Sequence, residues 1–238
     1  PSADRLTEEH LSLLRQEVLA LLAKGAVERV PGSEVGRGCY SRYFLVPKKK
    51  NAGLRPILDL RSLNFYLRKE KFKMLTLAQV LTALDHGDWM VALDLQDAYF
   101  HIPILRSHRR YLRFTVGHEH FQFIVLPFGL TSAPRVFTKV MAVVAAHLRR
   151  LGIPVFPYLD DWLLKAGSPQ TLLNHLQTTA NLLHSLGFTI NLPKSHLTPT
   201  QTILYIGAVL DTVHFRTYPP LQRIQDIRAM IPIFQPLS

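Results

Sequence analysis

Between Thr7 and Gly25, Leu11, Leu14, Val18, Leu21 and Leu22 fall on one helical face. The spacing predicts a helix to about Lys24, with Thr7 as its cap and Gly25 as its stop. Residues 31–39 (PGSEVGRGC) lack periodicity and predict a loop. Tyr43–Val46 and Arg55–Leu60 read as strands around a basic turn, Lys48–Gly53. Thr76 and Gln79 have capping-box spacing and predict a helix ending near Gly87. Trp89–Leu95 is a nearly continuous apolar run, a buried strand, and Asp97–His101 a short helical turn after it. Tyr111–Val116 and Phe121–Val125 suit a hairpin around Gly117. From Thr131 or Ser132, with Pro134 in the first turn, the apolar positions Val136, Phe137, Val140, Met141, Val144, Leu148 and Leu151 predict a long helix ended by Gly152. Val155–Tyr158 and Trp162–Lys165 form a second hairpin with Asp160 and Asp161 at its tip. Ser168-Pro169 opens a helix to about Leu186. Thr189–Asn191 and Ile203–Leu210 read as short strands, and residues 221–230 as a helix. Irregular alternation with several hairpins predicts an α+β fold, its sheet mainly antiparallel and its helices on one face.

Composition narrows the classes. The 238 residues are 47% hydrophobic, enough for a sizeable core and against disorder. A single cysteine, Cys39, excludes an internal disulfide and a Cys-rich zinc site, and points to an intracellular setting, with cytoplasm and nucleus equally open. No segment approaches the roughly 18 apolar residues of a membrane span, so no membrane partner is expected. No signal peptide opens the chain. It starts at Pro1 and reads as a piece of something longer. Its 28 Lys+Arg against 17 Asp+Glu leave +11, which favours a polyanionic partner, nucleic acid first, although a merely soluble basic protein has the same total.

The placement of charge says more. Ten Lys/Arg and two acids lie between Arg42 and Lys73, whereas the only acids from His120 to Leu210 are the adjacent Asp160 and Asp161. Asp94 interrupts the apolar strand VALDL, where a carboxylate must be paired, hydrogen-bonded or metal-bound. A turn and an ion-paired core acid would account for these residues blandly. Together on a basic chain they favour a divalent-metal site, because Mg²⁺ takes oxygen ligands from a few carboxylates and substrate phosphates. His118 and His120 share a strand face but have no third ligand nearby, and they read as packing.

These segments, in order, resemble the reverse transcriptases. YLDD at 158–161 resembles the Tyr-x-Asp-Asp box of that family, and ALDLQDAYF at 92–100 its first catalytic motif. LPFGLTSAP at 126–134 is similar to the template- and nucleotide-contacting motif, and VPKKK with LRPILDLRSLN at 46–64 to the fingers motif. LGFTINLPKS at 186–195 and LYIGAVLD at 204–211 resemble the two later motifs, the second being the primer grip. The wording is closest to DIRS-like and long-terminal-repeat retrotransposon enzymes. The resemblance implies a polymerase palm plus a fingers subdomain. Residues 1–39 would lead into the fingers, 40–211 would be fingers (about 40–87 and 101–126) and palm, and 212–238 would begin a truncated thumb or connection, with no RNase H activity from this segment.

It also implies roles. Asp94, the Leu95 carbonyl, Asp160 and Asp161 would hold two Mg²⁺ ions, with Mn²⁺ as a substitute. Lys194 would give a proton to pyrophosphate. Lys48, Lys49, Arg55, Asp97, Ala98, Tyr99, Phe128 and Gly129 would surround the incoming deoxynucleoside triphosphate, Tyr99 excluding a ribose 2′-OH. Tyr205, Ile206 and Gly207 would grip the primer of an RNA or DNA template-primer. The implied activity is RNA-directed DNA polymerisation. The alternatives are a non-catalytic nucleic-acid-binding module derived from such an enzyme and an RNA-directed RNA polymerase, which Tyr99 disfavours.

Overall fold

The computed structural model describes residues 8–47 and 54–230. In chain order the helices are α1 (Glu8–Ala23), α2 (Arg61–Tyr66), α3 (Leu77–Leu81), α4 (Ala133–Arg150), α5 (Pro169–Ser185) and α6 (Leu221–Met230). The strands are β1 (Val27–Arg29), β2 (Arg42–Pro47), β3 (Leu54–Asp59), β4 (Trp89–Asp94), β5 (Arg113–Val116), β6 (Glu119–Phe123), β7 (Val155–Tyr158), β8 (Asp161–Ala166), β9 (His196–Thr200), β10 (Thr202–Tyr205), β11 (Ala208–Asp211) and β12 (Arg216–Tyr218). All strand pairs named here are antiparallel, so the fold is α+β as expected. Thr7 and the basic turn, with Lys48 and Lys49, lie outside the described residues.

The chain divides into two compact units. One comprises Pro1–Lys71 and Tyr99–Phe137, the other Phe72–Ala98 and Thr138–Ser238.

In the first unit the sheet order is β1-β6-β5, with β2-β3 as a separate hairpin. Leu14 and Val18 of α1 pack with Tyr43, Leu58, Phe114 and Phe121 in one apolar cluster. Arg113 is the exception in this interior, at 1% exposure. Its guanidinium donates to Gln122 Oε1 (2.9 Å) and to the carbonyls of Glu34 (2.8 Å) and Arg37 (2.6 Å), and it pairs with the Glu34 carboxylate. One buried cation thereby satisfies the backbone of a loop that has little apolar material of its own. Beside it the chain runs close. Gly38 has φ of 87°, and a Cβ there would lie 2.2 Å from the Arg110 carbonyl oxygen.

In the second unit the four-stranded sheet has the order β7-β8-β4-β9, and β10-β11-β12 form another. Met90, Val91, Leu93, Trp162, Leu163 and Leu164 are all buried, as their apolar runs predict. Helix α5 is capped by Ser168, whose Oγ accepts from Thr171 N (3.2 Å), and packs on β8, β4 and β9. Arg149 of α4 donates to the Val155 carbonyl (2.6 Å) at the start of β7.

Three expectations change. The capping box of Thr76 and Gln79 forms, but α3 stops at Leu81 rather than near Gly87. Lys165 reaches Asp85 (2.7 Å) and Asp88 (2.8 Å), and Asp85 N–H donates to Asp88 Oδ2 (2.7 Å), so these contacts draw the segment into a turn. The apolar run Ile203–Leu210 is not one strand but the hairpin β10-β11, turned at Ile206 and Gly207 with φ of 40° and 80°. Thr189–Asn191 contributes only a bridge from Ile190 to Leu95, and β1, β9 and β12 are strands the apolar pattern does not predict.

Arg113→Met should cost about 2 kcal/mol in chemical denaturation, since it leaves the buried Gln122 amide oxygen without its donor and removes the bonds that hold the Glu34 and Arg37 carbonyls. Asp211 tests the other unit. Its carboxyl accepts from His214 N (3.0 Å) and lies 2.8 Å from His214 Nδ1 and 3.2 Å from Arg216 Nε. The His214 backbone bond, then the His214 and Arg216 side chains, hold its pKa down at about 2. The unfolded chain takes up that proton first, so this contribution is complete above pH about 4 and is lost as pH falls towards 2. Asp211→Asn should flatten the stability profile across that window in acid titrations followed by circular dichroism.

Candidate active site

Register brings the acids together. In the β4–β8 pair Trp162 faces Leu93 and Asp161 faces Asp94 at the open end of both strands. Strands β7 and β8 are joined by two residues, Leu159 and Asp160. Leu159 alone of the two has a positive φ, 53°, the arrangement of a type II′ turn whose first position favours glycine. A leucine there is strained, and such strain concentrates at working sites. Leu95 N–H donates to the Asp160 carbonyl (2.9 Å), which locks the tip against the strand that carries Asp94.

A second layer holds Asp94. Its N–H donates to Ser195 Oγ (2.9 Å), and that hydroxyl donates to the Asn191 carbonyl (2.8 Å). Asn191 N–H donates to the Asp94 carbonyl (2.8 Å). The Asn191 side chain also bonds the Asp94 carboxylate. The segment 186–195 resembles a family motif, but nothing in the sequence marks Asn191 and Ser195 for this task. Their signal was only position, a polar pair inside a matched motif.

The electrostatics follow from the crowding. Desolvation raises the Asp94 pKa, Asp160 adds to the rise, and Lys194 and Asn191 oppose it. Asp161 is pushed up to about 6 by desolvation, then by Asp160 and Asp94, with Lys194 again opposing. Lys194 itself is exposed on the turn before β9. Its charge thus acts on both acids.

Among the described residues no three His, Cys, Asp or Glu side chains converge as a ready metal cage. The donor chemistry nevertheless fits a hard divalent cation. Three carboxylates, from β4, β8 and the turn before β8, repel one another, and Mg²⁺ binds through few protein oxygens plus substrate phosphates.

Tyr205 is buried. Its hydroxyl donates to the carbonyls of Phe156 (2.6 Å) and Asp161 (3.1 Å), so it braces the acid hairpin from below. Ile206 and Gly207 form the adjoining turn. Ala98 is buried in a 3-10 turn, Ala98–His101, preceded by Asp97 at φ 48°.

The first unit contains the other expected residues. Arg55 is exposed on β3 opposite Val46, and its side chain has no hydrogen bond or ion pair among the described residues. Tyr99 is half-buried, its ring 4.9 Å from Phe128 and 5.4 Å from Phe137. Phe128 is 56% exposed. Gly129 has φ of 89°, and its carbonyl accepts from Asn64 Nδ2 (2.8 Å) while Asn64 Oδ1 accepts from Thr131 N–H (2.8 Å). Asn64 therefore clamps the Phe128–Thr131 loop, a positioning task the sequence did not disclose. His120 is accounted for by packing, with Nδ1 3.1 Å from the Tyr40 hydroxyl.

An antiparallel sheet that carries acids on a strand end and on the neighbouring hairpin defines a polymerase palm. The family model for reverse transcriptase (RNA-dependent DNA polymerase) matches residues 46–210, and the chain belongs to that family. It is 30% identical over 191 residues to the Gag-Pol polyprotein of Rous sarcoma virus subgroup B (strain Schmidt-Ruppin), covering 76% of this chain and 12% of that protein. It is 30% identical over 179 residues to the Gag-Pro-Pol polyprotein of human T-cell leukemia virus 2, covering 70% and 12%. The transposon Tf2-3 polyprotein of Schizosaccharomyces pombe is 25% identical over 164 residues, covering 69% and 12%. The chain thus spans about one eighth of the length of these curated relatives. No helix among the described residues is long and apolar enough to cross a membrane.

Removing one member of the repelling set should stabilise the metal-free protein. Asp161→Asn is expected to raise the thermal midpoint at pH 7 by a few degrees in calorimetry without added cations, because the amide neither repels Asp94 and Asp160 nor pays the carboxylate's desolvation.

Proposed function

We propose that this chain is the catalytic core of an RNA-directed DNA polymerase from a retrotransposon polyprotein. It adds deoxynucleotides to a primer 3′-hydroxyl on an RNA or DNA template. The observation that carries the reading is the alignment of Asp94 with Asp161 beside a two-residue turn holding Asp160.

Asp94, Asp160, Asp161 and the Leu95 carbonyl would hold two divalent cations, Mg²⁺ or Mn²⁺ in its place. Bound there, they would supply positive charge for the attacking and leaving oxygens of an in-line displacement. The chain's own residues do the rest. The primer hydroxyl gives up its proton to solvent as its oxygen bonds to the α-phosphorus, the bond to the bridging oxygen breaks, and pyrophosphate leaves. Lys194, whose charge already acts on Asp94 and Asp161, gives the leaving group its proton. Arg55 meets phosphate and base with a planar, permanently charged group, and Lys48 and Lys49 add charge at the triphosphate. Asp97 and Ala98 offer backbone groups near the triphosphate. Tyr99, backed by Phe128 and Phe137, blocks a ribose 2′-hydroxyl, and Gly129 leaves room beside the base. Ile206 and Gly207 present a turn to the primer, with Tyr205 as its buried footing. Most of the rate then comes from positioning and electrostatics.

Primer extension tests this with a primed RNA template, deoxynucleotides and Mg²⁺ or Mn²⁺. Asp160→Asn should lower incorporation by at least about 100-fold. Undiminished extension by that variant would sink the proposed metal site, and salt-sensitive template binding without incorporation under either metal would leave a binding module. Tyr99→Ala should raise ribonucleotide incorporation relative to deoxynucleotide. An unchanged ratio would remove Tyr99 from sugar selection.

A further inference from the structure

The first unit carries a second concentration of positive charge, made from none of the residues assigned above to nucleotide or primer. A cleft of about 1570 Å³ opens beside the loop 31–39 and the 3-10 turn Arg106–Tyr111. Six arginines line it against two glutamates. Both glutamates are already engaged. Glu28 accepts from Arg109 (3.1 Å) and Gln122 (2.8 Å), and Glu34 pairs with Arg113. Arg29 pairs with Glu119 outside the cleft. Arg37, Arg106 and Arg110 remain, all exposed and with no ion-pair partner among the described residues. Arg110 lies over the Tyr111 ring at 5.0 Å and donates to its hydroxyl (2.8 Å), and Tyr111 is 39% exposed.

The dimensions and chemistry select an occupant. The volume exceeds the roughly 300–1,000 Å³ of small-ligand sites, so an extended molecule fits better than a free nucleotide. Exposed arginines in excess of the glutamates attract a chain of phosphates. The Arg110–Tyr111 platform offers a flat surface on which an unpaired base stacks, whereas duplex bases are already stacked and an acidic peptide has no comparable ring. We propose that this cleft is an additional site for single-stranded nucleic acid, which it holds by phosphate contacts to Arg37, Arg106 and Arg110 and by one base stacked at Tyr111.

The test uses the full chain and fluorescein-labelled twelve-nucleotide oligouridine and oligothymidine, read by anisotropy across a salt series. The triple variant Arg37→Ala/Arg106→Ala/Arg110→Ala should bind either strand about tenfold more weakly near 0.1 M salt, with a log–log salt slope smaller by about 2. Tyr111→Leu should weaken single strands several-fold and leave the slope unchanged. These side chains are exposed or partly exposed, and unchanged melting curves will confirm intact folding. Crosslinks from 4-thiouridine should map to residues 106–111. Unchanged affinity and slope in the triple variant would overturn the site. Equal weakening of a duplex by Tyr111→Leu would overturn the single-strand assignment. Competition by polyglutamate as strong as by oligouridine would make the cleft a surface for acidic protein instead.

Discussion

Three carboxylates near one another repel, and water solvates them better than a strand end does. What holds Asp94, Asp160 and Asp161 in place is the pairing of β4 with β8, in which neither strand can slide. The neighbours Met90 and Val91 and the run Trp162, Leu163 and Leu164 are buried, so both faces of this pair are packed, and a one-residue slip would exchange side chains of different size between two filled faces. Each side chain forced into a site of the wrong shape costs about 1–3 kcal/mol. The apolar length of the strands thus stabilises a charged end that would not hold itself together.

The supports of that end are polar and come from far along the chain. Ser195 and Asn191 fasten the Asp94 backbone, and the Tyr205 hydroxyl reaches the carbonyls of Phe156 and Asp161. Lys194 supplies the nearby positive charge on the same turn that carries the Asn191 and Ser195 bonds. The strained leucine in the two-residue turn is compatible with this scheme, because hydrogen bonds on both sides leave it no alternative conformation.

Charge is partitioned between the units. The second concentrates acid at one strand end. The first carries exposed Arg55 and the arginines around Arg106–Tyr111, while its one deeply buried guanidinium, Arg113, is consumed in holding the loop near Gly38. Arginines of similar appearance in the sequence therefore have different physical tasks: three carbonyl or amide partners and a carboxylate fully occupy one, and solvent surrounds the others.

Much was legible in the sequence because its signals are local. Apolar spacing located α1, α4 and α5, the Thr76 capping box formed as written, and an adjacent Asp-Asp between two apolar runs located the hairpin tip. Asp94 was legible because an acid inside an apolar strand needs a reason. Other features depended on partners distant in sequence. The Lys165 contacts to Asp85 and Asp88 shortened α3. Strand β9, His196–Thr200, alternates poorly and contains Pro199, which its edge position and irregular pairing tolerate. The apolar run 203–210 had no polar break, yet Ile206 and Gly207 turn it back on itself. Residue types and short-range periodicity determined the elements and the chemistry available. The tertiary structure alone decided which acids share an edge, which tyrosine is a brace and which arginines remain free, because each is settled by a contact between residues tens of positions apart.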